Sequence, residues 1–314
     1  MADSFPIDLI LAEAEKIPLS RLKCAADALT FHYKNKSLTH FSKEEHRLAY
    51  LLCRFPATCA VLEKIFSIIK CKSDLHLSES FLDIGSGPGS ALLAAAPFFP
   101  LLKKATLIEK DREMQAWSKK LTDKVLISPI NFICGDFLHE KFESHDLVVL
   151  SYSLSEIPET MREKIFERAF ESAKKGIILV EPGTPAGFAL IRYFRDWMIK
   201  RGGHVVAPCT HDNECPISGE DWCHFSARLS RTKIHRFLKS GDLGFEDEKF
   251  AYVVVSKTPT ASSGTRRILR HPKKRSGVCE FVCCSNKGLL TEVVSKRDGP
   301  LYKQARDFEW GDEF

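Results

Sequence analysis

The sequence predicts a doubly wound, Rossmann-like α/β fold with additions at both ends. Two observations carry this. Short β-rich runs alternate with helical stretches through the middle of the chain, from "FLDIGSGPGSALLAAA" to "GIILVEPG", and such alternation covers both faces of a parallel sheet with helices. The first of these runs is a strand, a glycine turn and a helix in succession, the unit that holds nucleotide-type ligands at the end of a strand. A chain of 314 residues, 44% apolar and 28% charged, has room for one large domain with additions or for two domains.

Residues 1–76 read as a helical domain. "LILAEAEKI", "RLKCAADALTFHY" and "EEHRLAYLLCRFPATCAVLEKIFSII" carry apolar residues at three- and four-residue spacing, with no turn clusters inside. Residues 77–203 form the α/β core, whose strands are "FLDI", "ATLIEK", "INFICGD", "HDLVVLSY" and "GIILVEPG". The alternation breaks over 204–241, which is expected to be a cysteine-rich, metal-binding insertion ending in a helix near 230–240. A return strand, "KFAYVVVSK", lies in the following segment, 242–256. The remainder, 257–314, is a basic C-terminal extension that opens on the turn-rich "TPTASSGT" and contains the β-rich "VCEFVCC". There is no internal repeat.

Bulk properties narrow the setting. The net charge of +5 is modest, so the distribution of charge says more than its sum. The start, "MADSFPIDLILAEAEK", carries acids and has neither the basic region of a secretory signal nor the Arg- and Ser-rich character of a transit peptide. No apolar run reaches the length of a membrane span, so no membrane partner is expected. Eleven cysteines, an odd number without a secretory signal, argue against a disulfide framework. A reducing, cytoplasmic setting of bacterial type is expected, with a chain that is monomeric when free.

"LDIGSGPG" places Asp83, Gly85, Gly87 and Gly89 where an apolar strand gives way to a helix. Glycines there let the backbone turn sharply and approach a ligand closely. The spacing, D-x-G-x-G-x-G, differs from the dinucleotide fingerprint. Glu109 ends the next strand, placed to accept hydrogen bonds from ribose hydroxyls, and Asp136 follows the third strand, where an acid can receive an adenine amino group. This run resembles the first motifs of class I S-adenosylmethionine-dependent methyltransferases. The resemblance implies S-adenosylmethionine as cofactor and a class I methyltransferase-type sheet.

No catalytic residue is assigned. "SYSLSEIP" follows the fourth strand and lacks N-P-P-Y, and no Pro-Cys or Thr-Cys pair stands at a strand end. Ser153 and Glu156 are candidates for lining the pocket, but such residues also serve as structural caps.

"CTHDNECPISGEDWCHF" gathers Cys209, Cys215 and Cys223 in one polar stretch, with His211 and His224 beside them. Thiolates suit zinc, copper(I) or iron–sulfur clusters. The gaps, C-x5-C-x7-C, exceed those of short zinc knuckles. A four-sulfur site then lacks one ligand, and Cys279, Cys283, Cys284 and the two histidines are candidates. Cys24, Cys53, Cys59, Cys71 and Cys134 lie in apolar runs and are expected to pack in the core.

"VEPGTPAGF", "HVVAPCTHDNECP", "DWCHF", "LGFEDEKFAYVV" and "SKRDGPLYKQAR" together resemble the methyltransferase-like proteins associated with the mitochondrial small ribosomal subunit and their bacterial relatives. The resemblance covers most of the chain. It implies a four-cysteine 4Fe-4S cluster and a role in small-subunit assembly or translation. Carried over by position, the ligands are Cys209, Cys215, Cys223 and, from "CSNKGL", Cys284. Cys283 is its neighbour, and adjacent strand residues point to opposite faces. Zinc remains the competing occupant.

The same resemblance makes the small ribosomal subunit and its ribosomal RNA the expected partners. "RRILRHPKKR" supplies Arg266, Arg267, Arg270, Lys273, Lys274 and Arg275 with no acid among them, suited to phosphate contacts that give affinity without sequence specificity. The bland alternative is a solvated loop. Two enzymatic readings stay open here: an active S-adenosylmethionine-dependent RNA methyltransferase, and a small-molecule methyltransferase with a structural metal site.

Overall fold

The computed structural model describes residues 6–34, 43–123, 125, 129–259 and 264–314. The N-terminal helices are α1 (Ile7–Ala14), α2 (Leu19–Lys34), α3 (Glu44–Cys53) and α4 (Phe55–Lys72). Then come β1 (Ser80–Ile84), α5 (Ser90–Ala95), β2 (Lys104–Glu109), α6 (Arg112–Thr122), β3 (Ile130–Cys134) and β4 (His145–Ser151). The core continues through α7 (Glu159–Ser172), β5 (Ala173–Pro182), α8 (Pro185–Ile199), β6 (His204–Ala207), β7 (Phe225–Ser230), α9 (Lys233–Lys239) and β8 (Phe245–Ser256). Short strands β9 (Arg267–Ile268) and β10 (Lys273–Arg275), longer strands β11 (Val278–Ser285) and β12 (Gly288–Ser295), and α10 (Pro300–Ala305) complete the chain.

The main sheet runs β3-β2-β1-β4-β5-β8-β6, with β7 also paired to β8. Strands β1 to β5 are mutually parallel, whereas β8 lies antiparallel to both β5 and β6. The order departs from the Rossmann pattern 3-2-1-4-5-6 by this one reversed strand, wedged between the fifth and sixth. Alternate residues feed opposite faces, as the period of a strand requires. Phe81, Leu107, Val149, Ile178 and Val254 pack against α4 and α5. Leu82, Ile108, Val148, Leu179 and Val253 pack against α7 and α8. Each fully buried aliphatic side chain contributes roughly 1.5–3 kcal/mol, so a charge at Val149 would break the sheet at its centre.

Helix starts are set by local chemistry. Asp111 caps α6 by accepting from the Met114 N–H at 2.8 Å, and its carboxylate also takes both arms of Arg47, which ties α3 to the core. Thr184 caps α8, whose first residue is Pro185, a residue favoured there because it has no N–H to leave unpaired.

Strands β6 and β7, at either side of the cysteine-rich stretch, belong to the main sheet, and residues 208–224 between them are irregular. The C-terminal strands form a second, four-stranded antiparallel sheet, β10-β11-β12 with β9 paired to β11. One of its faces closes over Ile268, Phe281, Cys283 and Val294, with Phe308 and Phe314 packed on them. The last residues return to the start of that sheet, since Arg266 and Phe314 exchange backbone hydrogen bonds at 2.9 and 3.1 Å. The turn-rich "TPTASSGT" lies partly outside the described residues.

Three cysteines expected in the core are exposed instead: Cys24, Cys71 and Cys134. Cys24 is on the outer face of α2 between buried Leu22 and Ala25, Cys71 is in the last turn of α4, and Cys134 ends the edge strand β3. Cys53 and Cys59 are buried. Among the described residues no helix is long and apolar enough to cross a membrane.

Candidate functional site

The glycine loop joins β1 to α5. Gly85, Gly87 and Gly89 all have positive φ, at 74°, 52° and 81°, a region costly for residues with a Cβ. The three differ in what surrounds them. A Cβ at Gly85 would stand 2.9 Å from the Ser153 Cβ, and one at Gly89 would stand 2.7 Å from the Ser118 Oγ. At Gly87 it would meet nothing within 4 Å. Gly85 and Gly89 are therefore fixed by packing, while Gly87 faces open space.

Glu109 lies across the loop. Its Oε2 accepts from the Gly87 N–H and its Oε1 from the Asp111 N–H, both at 2.8 Å. The position expected for ribose contact is thus already used to shape the loop, although each carboxylate oxygen retains a second lone pair. Asp136 is half-buried and accepts from the Leu138 N–H at 2.9 Å. Asp83 is buried, its Oδ2 has no hydrogen-bond partner among the described residues, and burial, with Glu109 nearby, pushes its carboxyl up to about 8. Glu156 is exposed and pairs with Lys110 at 3.9 Å. Buried Asp83 and partly buried Glu109, at adjoining strand ends, favour a cationic guest over a pyrophosphate.

The ends of β4 and β5 hold two groups that the sequence reading passed over. Glu181 is fully buried, and its Oε1 accepts from the Leu154 and Ser155 N–H groups at 2.9 and 3.3 Å. Its Oε2 has no partner among the described residues, and burial pushes its carboxyl up to about 7. Tyr152 sits at φ 59° with its hydroxyl buried and unpartnered among the described residues. Burial raises its pKa strongly. The available signal was an acid, "VEPG", at the end of an otherwise apolar strand.

The cysteine loop closes over a second place. Cys209, Cys215, Cys223 and Cys284 line one cavity, together with Arg195, Ile217 and Tyr252. Cys284 is on the face of β11 turned to the core, whereas Cys283 is on the face packed with Phe281. Burial and the neighbouring sulfurs of Cys209 and Cys215 push the Cys284 thiol up to about 12. Cys223 is raised by burial and by Cys209, Cys215 and Cys284. The His211 Nε2 lies 3.5 Å from the Cys284 sulfur. Among the described residues no group of three or more His, Cys, Asp or Glu side chains is arranged to hold a single metal ion. His224 stacks on Trp222 with ring centroids 5.3 Å apart.

The basic run does not present one uniform surface. Arg267, expected to face RNA, is buried: it donates to the carbonyls of Pro208 and Gly311 and pairs with Glu313. Burial of that cation is tolerated because three acceptors surround it. Arg270 pairs with Asp221 of the cysteine loop, and Arg266 with Glu292 at 3.0 Å. Lys273 and Lys274 are exposed on β10 and pair with Glu280 and Glu309. Arg275 is exposed and makes no ion pair among the described residues.

The sequence model of the family described as mitochondrial small ribosomal subunit Rsm22 matches residues 44–314. The chain belongs to the Rsm22 family. It is 27% identical over 303 residues to the human ribosome assembly protein METTL17, mitochondrial, covering 90% of this chain and 64% of that protein. It is also 27% identical over 343 residues to Rsm22-cox11 tandem protein 2, mitochondrial, of Schizosaccharomyces pombe, covering 91% and 45%. The chain thus spans less than two thirds of the length of these Rsm22 relatives. Their names and the family description overturn the expected cytoplasmic, bacterial-type location, which had rested on the acidic start of the sequence.

Among solved structures, the chain is similar to magnesium protoporphyrin IX methyltransferase from Synechocystis PCC 6803, whose structure contains SAH. The TM-score is 0.43 at 8% identity, over 74% of this chain and 95% of that one. It is also similar to mitomycin 7-O-methyltransferase, with a TM-score of 0.41 at 14% identity over 68% and 57%.

Proposed function

We propose that this Rsm22-family chain is an assembly or translation factor of the small ribosomal subunit that holds S-adenosylmethionine at the glycine loop, a 4Fe-4S cluster at the cysteine loop, and ribosomal RNA at its C-terminal sheet. The observation that carries the reading is the shared cavity of Cys209, Cys215, Cys223 and Cys284, with Cys283 on the opposite face. Four thiols from a loop and a distant strand suit a centre that staples the two together.

The glycine loop fits the proposed cofactor. Open space at Gly87 admits close approach, and Asp83 offers a buried oxygen without a partner among the described residues. When bound, the cofactor supplies a methyl group on a cationic sulfur. Asp83 and Glu109 would balance that charge, and Asp136 would orient the adenine. For RNA, the supporting feature is the β10 edge, where Lys273, Lys274 and Arg275 are exposed. Exposed ion pairs contribute little, so phosphate can displace Glu280 and Glu309.

One observation favours a second reading, active methyl transfer to RNA. Glu181 is a buried carboxyl raised to about 7, with one oxygen unpartnered among the described residues, a form suited to accepting a proton. Labelled cofactor incubated with immature small subunits separates the readings, since transfer lost on Glu181→Gln establishes the enzyme. The assembly role is tested by depleting the protein in its own cells and following small-subunit particles by sedimentation. Wild type and Cys283→Ser should restore the profile and Cys284→Ser should not. Full rescue by Cys284→Ser would remove the cluster from the function.

A further inference from the structure

We infer that Arg195 positions the cysteine loop and balances the charge of the centre that the four cysteines hold, an inference that rests on the cluster reading above. Arg195 is in α8, on the rigid core, and only 3% exposed. Its Nη2 donates to the carbonyl oxygens of His211 and Asn213 at 3.0 and 2.7 Å. Both carbonyls lie between Cys209 and Cys215, so one guanidinium sets the path of the chain between two of the sulfurs. The planar fork makes this a constraint on direction as well as distance.

The charge is the second part. A guanidinium does not lose its proton in a protein, and a buried cation is costly unless it is compensated. Besides the two neutral carbonyls, Arg195 bonds Asp196, at 2.6 Å from its Nη1, a carboxylate whose side chain is one-third exposed, and the side chain of Cys209. Its Nε has no hydrogen-bond partner among the described residues. Arg195 lines the same cavity as Cys209 and Cys284. Four thiolates on a four-iron, four-sulfide core of charge +2 leave a centre of net charge −2, and one-electron reduction makes it −3. A fixed positive charge at the wall favours the more negative form, so Arg195 raises the reduction potential.

The test uses the full chain, purified anaerobically, as wild type, Arg195→Gln and Arg195→Lys. Redox titration with dithionite reads the cluster, and hydrogen exchange reads the amides of 210–216. Arg195→Gln should keep its iron and sulfide but hold roughly tenfold less reduced cluster at a fixed poise, about 59 mV for a one-electron couple. Arg195→Lys, which keeps the charge without the fork, should stay near the wild-type potential yet lose exchange protection over 210–216. An unchanged potential in a fully loaded Arg195→Gln variant would overturn the charge role. If the wild-type protein holds no iron or sulfide, the cluster reading falls by itself. The inference then stands on exchange alone: lost protection in Arg195→Gln supports it, and wild-type protection overturns it.

Discussion

Trp222 donates its indole N–H to the carbonyl oxygen of Gly183 at 3.0 Å. Trp222 precedes Cys223, and Gly183 follows the last residue of β5, two positions after Glu181. Glu181 in turn holds the backbone N–H groups of Leu154 and Ser155. A short chain of bonds therefore runs from the cysteine loop to the strand ends beside the glycine loop. Trp222→Phe keeps most of the ring and removes the donor, leaving the Gly183 carbonyl to find another partner. We expect a stability loss of about 1 kcal/mol and a severalfold weaker affinity for S-adenosylmethionine, read by thermal unfolding and calorimetry. Unchanged cofactor affinity would show that the two places act independently.

The glycine loop separates packing from binding. Gly87→Arg should abolish cofactor binding and still unfold cooperatively, at the cost of about 1–2 kcal/mol for its positive φ alone, because the added side chain meets no clash within 4 Å. Gly85→Ala should instead destabilise the fold by about 1–3 kcal/mol, through its positive φ and the nearby Ser153 Cβ. Calorimetry and thermal unfolding on the two variants check both outcomes.

Asp83 gives a pH signature. Its folded carboxyl is raised to about 8 by burial and by Glu109, while an unfolded one titrates near 3.9. Between those values the folded state binds the extra proton, so stability falls as pH rises through the window. In cofactor-free protein, Asp83→Asn should flatten that slope and add up to about 5 kcal/mol at pH 8 relative to pH 4, at about 1.36 kcal/mol per pKa unit. Unfolding temperatures across the range measure it, and an unaltered slope would assign the dependence to other groups.

The C-terminal sheet separates charge from architecture in the same way. Reversing Lys273, Lys274 and Arg275 together should weaken ribosomal RNA binding and reduce the salt slope by about 2, with the fold retained, since roughly 0.7 counterions per contact are no longer released from a single strand. Arg267→Glu should disrupt the packing of the last residues instead, because Arg267 bridges Pro208, Gly311 and Glu313. Equal RNA affinity in the triple variant would return β10 to the status of a solvated edge.

The parts legible in the sequence were those written in local periodicity. Strands β1 to β5 alternate with helices, except that β4 follows β3 directly, and the glycine turn sits at its strand end. Three sulfurs of the cysteine cavity are near neighbours in the chain. What stayed hidden depends on distant partners. Arg267 looks like one charge in a basic run, and its burial is set by Glu313, 46 positions away. Arg195 looks like an ordinary helix-surface cation, and its acceptors are 16 and 18 positions on, in a loop with no pattern of its own. Strands β6 and β9, of four and two residues, are too short to announce a period. Their pairing comes from β8 and β11.

The four-cysteine centre is tested most directly by counting iron, acid-labile sulfide and zinc in anaerobically purified wild-type, Cys283→Ser and Cys284→Ser protein, with absorption spectra of each. We expect about four irons and four sulfides per wild-type chain, with the brown colour kept in Cys283→Ser and lost in Cys284→Ser. A colourless wild-type protein holding one zinc would contradict the cluster, and loss of metal from Cys283→Ser with Cys284→Ser intact would contradict the assignment of the fourth ligand.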